Sequence, residues 1–215
     1  MNYEEWTGLK VYRKNYPIRD LRKKILINFL KTLPKGKFLD VGFYPGDVCF
    51  KAKTLGFDVY GVDVVKENIK KARKNYKGIH FIYADAEKKL PFKNNFFDVI
   101  WAGDLIEHVR DTITLFKEFN RVLKKDGYLI LSTPYHSFLK MLAISIIALE
   151  KHFHPEHRHI RFYTPKSLRY ILNKYGFKII KEYYLGRIKF LHNNMLFISK
   201  KSRDLDLKKI PEMLR

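Results

Sequence analysis

Residues 18 to 33, IRDLRKKILINFLKTL, set Ile18, Leu21, Ile25, Leu26, Phe29, Leu30 and Leu33 at helical intervals, with a basic opposite face. Spacing of three and four predicts an amphipathic helix, stopped by Pro34 and Gly36. A shorter rhythm follows. KFLDVG reads as a buried strand, GDVCFKAKTLG as a helix ended by Gly56, and FDVYGVD as a second strand. VKENIKKARKNYKG is a second such helix and IHFIYAD a third strand. Beyond a turn at Pro91, FFDVIWAGD is a fourth strand, DTITLFKEFNRVLKKDG a helix running through its lysine pair, and YLILSTP a fifth strand. Strands alternating with helices of this length predict a parallel sheet covered on both faces.

The pattern changes after Pro134. YHSFLKMLAISIIALEKHFH predicts a mostly apolar helix and PEHRHIRFYTP a loop rich in His and Arg. PKSLRYILNKYGF is a helix with proline at its start and glycine at its end, and FKIIKEYYLG and NNMLFISKK are β-rich. With no repeat and no low-complexity linker, one domain over 1–215 is the simplest parse. It has an N-terminal helical segment at 1–36 and a cap inserted at 135–164. The apolar helix 138–149 is too short to span a bilayer and is expected to pack against the sheet. Closing over an apolar acceptor, or peripheral contact with a membrane surface, is a further use for it.

Composition narrows the class. The chain has 215 residues, 46% of them hydrophobic, and a mean hydropathy of −0.32, which suits a folded globular chain with a real core. Its single cysteine, Cys49, excludes an internal disulfide framework and a cysteine-rich zinc site. The N-terminus MNYEEWTGLK lacks a basic region followed by an apolar core, so a cytoplasmic location is expected. Charge adds the main surprise: 43 Lys and Arg against 22 Asp and Glu give a formal +21. That balance favours nucleic acid, anionic lipid or a small anion as partner, although the lysines are spread along the chain rather than gathered in one block.

In an open parallel sheet, ligands bind beyond the carboxyl ends of the strands, where the strand order reverses. The predicted strands end in chemistry. The first ends in Asp40-Val41-Gly42, with Gly46 at the next helix start; the second ends in Asp63, suited to both hydroxyls of a ribose. The third ends in YADAE, where Asp85 could take an adenine amino group, and the fourth in WAGDLIEH. Between Gly42 and Gly46 stand Phe43, Tyr44 and Pro45, so the G-x-G-x-x-G cradle of a pyrophosphate is absent and a dinucleotide oxidoreductase fits poorly.

LDVGFYPGD, VYGVDVV, YADAEKKLPF, FDVIWAGDLIEHV and RVLKKDGYLILSTP, in this order, resemble the class I S-adenosylmethionine-dependent methyltransferases over roughly residues 17 to 199. With YPIR before them and the cap segment after, the chain is similar to the ubiquinone-pathway O-methyltransferase-like (type 11) group. The resemblance implies a Rossmann-like, doubly wound, seven-stranded sheet, mostly parallel with one antiparallel strand, and a helical cap after strand five. It implies S-adenosyl-L-methionine as cofactor, S-adenosyl-L-homocysteine as product, and cofactor contacts at Asp40, Gly42, Phe43, Gly46, Asp63, Asp85, Ala86 and Gly103. Arg19 matches an arginine that meets the methionine carboxylate in those relatives. Phe43 is expected to cover the cofactor and Tyr44 to narrow the mouth of the site.

Methyl transfer from a sulfonium needs alignment, and a base if the acceptor is a hydroxyl. His108 is the candidate base. Asp104, Glu107 and His108 match an acid-x-x-Glu-His set that binds a divalent metal in some relatives, though the same spacing suits helix capping without any metal. His136, His152, His154, His157 and His159 read as a basic lid, with Arg158 and Arg161 placed to meet an anionic group on a substrate. The expected function is methyl transfer to a small-molecule or lipid-like acceptor, at oxygen. An RNA (tRNA) methyltransferase, prompted by the charge, and a cofactor-binding but catalytically silent protein, prompted by the altered glycine loop, are the alternatives.

Overall fold

The computed structural model describes residues 17–147, 149–154, 158–186 and 192–205. Helix α1 (Pro17–Lys31) precedes β1 (Lys37–Val41), α2 (Asp47–Thr54), β2 (Asp58–Asp63), α3 (Lys66–Asn75) and β3 (His80–Tyr83). Then come β4 (Phe97–Gly103), α4 (Thr112–Val122), β5 (Leu123–Pro134), α5 (Phe138–Ile147) and α6 (Leu149–His152). The chain continues through α7 (Pro165–Lys174), β6 (Phe177–Leu185) and β7 (Asn194–Lys201).

The seven strands form one sheet in the order β3-β2-β1-β4-β5-β7-β6. Pairings among β1 to β5 are parallel, while β7 runs antiparallel to both β5 and β6. Strand order therefore reverses between β1 and β4, and the crevice of the fold lies beyond Val41 and Gly103.

Alternation along the strands divides the core. Leu39, Val41, Ile100, Ala102, Leu129 and Leu131 point to the face covered by α4 and α7. Phe38, Val99, Trp101, Ile130, Leu196 and Ile198 point to the opposite face, under α1, α2 and α3. Both faces are buried, as the near-continuous apolar strands require. Helix α7 begins with a capping box, in which Ser167 N donates to Thr164 Oγ1 at 3.1 Å and Thr164 N to Ser167 Oγ at 2.9 Å.

Two expectations fail. The helix predicted through Lys124-Lys125 stops at Val122, and those lysines belong to β5, with Leu123 paired to Phe97. The apolar helix after β5 does not pack against the sheet, for α5 has no buried residue. Phe138 is 79% exposed and Ile147 83%. Among the described residues no helix is long and apolar enough to cross a membrane.

Candidate active site

The loop after β1 turns tightly. Gly42 takes φ +74°, is exposed, and donates its N–H to Val62 O at 2.8 Å; a Cβ there would stand 3.2 Å from Leu105 Cδ1. Gly46 takes φ +101° and donates to Phe43 O at 2.8 Å, and a Cβ on it would press the Tyr76 ring at 3.0 Å. Glycine suits both positions because left-handed backbone costs it nothing. The peptide between Tyr44 and Pro45 is cis.

Phe43 is turned into the core. Its ring is 3% exposed, lies 4.6 Å from that of Phe81, and fills the space over Gly61, where a Cβ would meet it at 2.9 Å. The bulky residue that replaces a loop glycine is thus a core residue, seated in the gap left by a glycine of β2.

Two buried acids flank the loop. Asp40 accepts a hydrogen bond from Cys49 Sγ at 3.4 Å, and burial pushes its carboxyl up to about 8, with the charges of Asp47 and Asp63 adding to the rise. Asp63 accepts from Val65 N at 2.8 Å and Asn68 Nδ2 at 3.2 Å. Burial raises its pKa too, and those hydrogen bonds, with one each from the Tyr44 and Val64 backbones, oppose the rise.

Asp85 and Ala86 follow β3, half-buried, with Asp85 Oδ1 accepting from Glu87 N at 2.9 Å. The space above Gly103 is taken up by the Trp101 indole, 2.4 Å from any Cβ placed there. Arg19 stands in the first turn of α1, but its side chain, like the whole of His157, lies outside the described residues.

The arginine that reaches the strand ends is Arg22, missed in the sequence. Its guanidinium pairs with the carboxylate of Asp104, which sits at φ +51° just after β4. Asn194 Nδ2 donates to the same carboxylate at 3.1 Å, and Ser132 Oγ lies 3.4 Å away. One signal was available. Arg22 shares the spacing of the buried Leu26 and Leu30, so it lies on the apolar stripe of α1.

Asp104, paired in this way, is not in the cluster of possible metal ligands found among the described residues. Glu107, His108 and His159 instead bring one ligand atom each to within 4.8 Å of one another. Glu107 is buried; its Oε2 accepts from Thr133 Oγ1 at 3.0 Å, while Oε1 has no hydrogen-bond partner among the described residues. Burial, then the charge of Asp104, holds its pKa well above the usual carboxylate range. His108 Nδ1 lies 3.1 Å from Arg158 O. A carbonyl only accepts, so Nδ1 carries the proton and the lone pair of the neutral ring is on Nε2. One carboxylate and two imidazoles form a donor set suited to a divalent transition metal.

The cap segment is laced to the loop after β4. Ile160 N and Arg161 N donate to Glu107 O at 3.0 and 3.2 Å, and Arg161 Nε to Val109 O at 2.9 Å. Arg161 also donates to Arg110 O. Its guanidinium is therefore occupied by backbone carbonyls rather than held out toward a substrate. Of the cap histidines, His136 is buried against Phe162, His154 is exposed, and His159 joins His108.

The residues present fit a nucleoside bearing a sulfonium better than a pyrophosphate. Gly42 leaves an open cradle that any side chain would narrow, and a buried acid stands on the neighbouring strand end.

A methyltransferase-domain family model matches residues 12–182. The human mitochondrial ubiquinone biosynthesis O-methyltransferase is 30% identical over 195 residues, covering 81% of this chain and 53% of that protein. An uncharacterised protein of Methanocaldococcus jannaschii is 31% identical over 172 residues, covering 79% of this chain and 78% of its own. A S-adenosylmethionine-dependent methyltransferase from Archaeoglobus fulgidus superposes with a TM-score of 0.71 at 17% identity, over 93% of this chain and all of that one, which speaks to fold alone. The chain spans about half the length of the quinone-pathway relatives it matches. Sheet order, strand-end chemistry and the family match over most of the sequence agree, and the chain belongs to the methyltransferase-domain family.

Proposed function

We propose that this protein methylates a small or lipid-like acceptor, at oxygen, with S-adenosylmethionine as the methyl donor. The observation that carries the reading is the convergence of Gly42, Asp63 and the Glu107–His108 pair on the strand ends at the reversal of sheet order. When bound, S-adenosylmethionine supplies a methyl group on an already activated sulfonium, so the protein's share is alignment and proton handling.

Asp63 would hold the ribose hydroxyls, Gly42 and Gly46 would let the backbone approach the nucleoside, and Asp85 and Ala86 would border the base. Gly103 and Arg22 would lie on the side of the methionine portion. His108 would take the acceptor's hydroxyl proton at Nε2, with Nδ1 fixed by Arg158 O. The name of the human relative, an O-methyltransferase of ubiquinone biosynthesis, supports oxygen as the accepting atom.

Calorimetric titration with S-adenosylhomocysteine tests the cofactor, and binding at micromolar ligand is expected. No heat at about millimolar ligand defeats the proposal. Asp63→Ala should weaken binding at least about tenfold by removing the buried acceptor. Labelled-cofactor incorporation into separated lipid, small-molecule and RNA pools of an extract then identifies the acceptor. Binding with no incorporation into any pool favours a silent protein. A chelator separates the two uses of His108: full activity after chelation leaves it the base, and lost activity restored by a divalent metal makes it a ligand with Glu107 and His159.

A further inference from the structure

Arg121 opens RVLKKDGYLILSTP, one of the segments that carry the family resemblance, and the proposed reaction gives it no part. All five N–H groups of its guanidinium are nonetheless engaged. Nε donates to Glu118 Oε1 at 2.7 Å, and Nη2 to Glu118 Oε2 at 2.6 Å and Leu90 O at 3.0 Å. Nη1 donates to Phe92 O at 2.7 Å and Asn94 Oδ1 at 3.0 Å. Glu118, itself buried, accepts in addition from Leu90 N at 2.7 Å. Both residues sit on α4, and they grip residues 84–96, the connection from β3 to β4. That connection crosses from the sheet edge past β2 and β1 with no helix or strand of its own. Backbone without a ladder needs other partners, and α4 supplies them. Besides the Glu118–Arg121 pair, Arg121 O accepts from Asn95 N at 2.9 Å and Val122 O from Phe96 N at 2.8 Å. At the start of the helix, the N-cap residue Asp111 donates its N–H to Glu87 Oε2 at 2.9 Å, and Glu87 N in turn donates to Asp85 Oδ1 at 2.9 Å.

We infer that Arg121, set by Glu118, is a positioning residue for the cofactor: it fixes the β3–β4 connection so that Asp85 and Ala86 meet the adenine. The inference rests on the reading that puts the base beside those two residues. Arg121 is directed into the connection, so its effect passes through Leu90 and Phe92 and not through contact with the cofactor. A loop already ordered before binding gives up little freedom when the base arrives, and its carboxylate keeps one aim. The clamp calls for arginine in particular. A planar fork of five donors spans two carbonyls, an amide oxygen and a carboxylate together, whereas an ammonium offers three donors from a single point.

Calorimetry of the whole chain with S-adenosylhomocysteine, and with S-inosylhomocysteine, which has a carbonyl in place of the adenine amino group, reads the aim of Asp85 without any methyl acceptor. The wild type should prefer the adenine compound at least about tenfold, the effect of losing one hydrogen bond to a charged group. Arg121→Lys keeps the charge and loses the fork, and should cut the preference to about twofold. Glu118→Gln keeps an acceptor for Leu90 N while loosening its hold on Arg121; it should cut the preference part-way, and it carries the test if Arg121→Lys does not fold. Leu172→Ala, a truncation of a fully buried side chain on α7, is the control for stability alone: a lower melting temperature with the preference unchanged. Three results overturn the inference. Both clamp variants keep the wild-type preference while Asp85→Ala abolishes it, so that the base site stands and Arg121 has no part in it. Leu172→Ala loses the preference as fully as Arg121→Lys, which makes the effect one of general destabilisation. Or the wild type binds both compounds alike, or neither, in which case the placement of the base falls and the clamp's role with it.

Discussion

Gly42 shows how one missing side chain serves both fold and site. Alanine there must accept φ +74°, at a cost of about 1 kcal/mol, and its methyl would meet Leu105 Cδ1 at 3.2 Å on the open side of the loop. Gly42→Ala should lower the melting temperature by about 2–4 °C and weaken S-adenosylhomocysteine binding at least about tenfold, measured by calorimetry. Unchanged affinity would mean that the cradle is unused. Asp40 makes a pH-dependent case. Its carboxyl is pushed up to about 8 in the folded chain from 3.8 in the open. Between those values the folded chain holds a proton that the unfolded one has released, so stability from this group is full below about pH 4 and lost as pH rises through about 8. Asp40→Asn cannot lose that proton. The melting-temperature difference, variant minus wild type, should therefore grow from pH 5 to pH 9, by on the order of a few kcal/mol in stability. Parallel pH profiles would contradict a buried, titrating Asp40. Residue types at strand ends were legible in the sequence, as Asp40, Gly42 and Asp63 show. The direction of Phe43 was not, because the gap it fills is made by Gly61 on another strand.

At the scale of elements, the alternation of apolar strands with periodic helices was enough to place all seven strands, since each reads locally. What local pattern missed were ends fixed by distant partners. Helix α4 stops at Val122 although the helical pattern continues, and the reason lies in β7. The wholly buried Lys201 donates to Asn120 O at 2.7 Å, Leu123 O at 2.8 Å and Asn95 Oδ1 at 2.9 Å, and pairs with Asp204 at 2.7 Å. An ammonium group thus satisfies carbonyls at the end of α4 that another helical turn would have used. Lys201→Met keeps the stem and strands those carbonyls in the core. It should cost about 2–4 kcal/mol in urea unfolding. A cost under about 0.5 kcal/mol would mean that water replaces the amine without loss. The exposure of α5 was hidden for a related reason. An apolar run predicts a helix from its own residues, but whether anything covers it depends on elements far along the chain.

Across the whole molecule, the sequence announced a charge whose consequence for the fold is repulsive. If every acid were paired once, 21 cations would still have no acidic counterpart. Folding gathers them within a few Debye lengths, about 10 Å each at 0.1 M salt, so the compact state carries self-repulsion that the expanded chain escapes. Surface pairs such as Lys200 with Asp126 and Arg169 with Glu182 act the other way, since salt weakens them. Exposed pairs contribute about 0–1 kcal/mol each, too little to offset an excess of this size. Raising sodium chloride from about 0.02 M to about 0.3 M should therefore stabilise the protein by about 1 kcal/mol, a rise of about 2–4 °C in melting temperature. The lysines are dispersed over many elements, so the gain should survive neutralisation of any one of them and shrink only as several are replaced. A melting temperature that falls with salt would reverse the ranking and give the ion pairs the larger share.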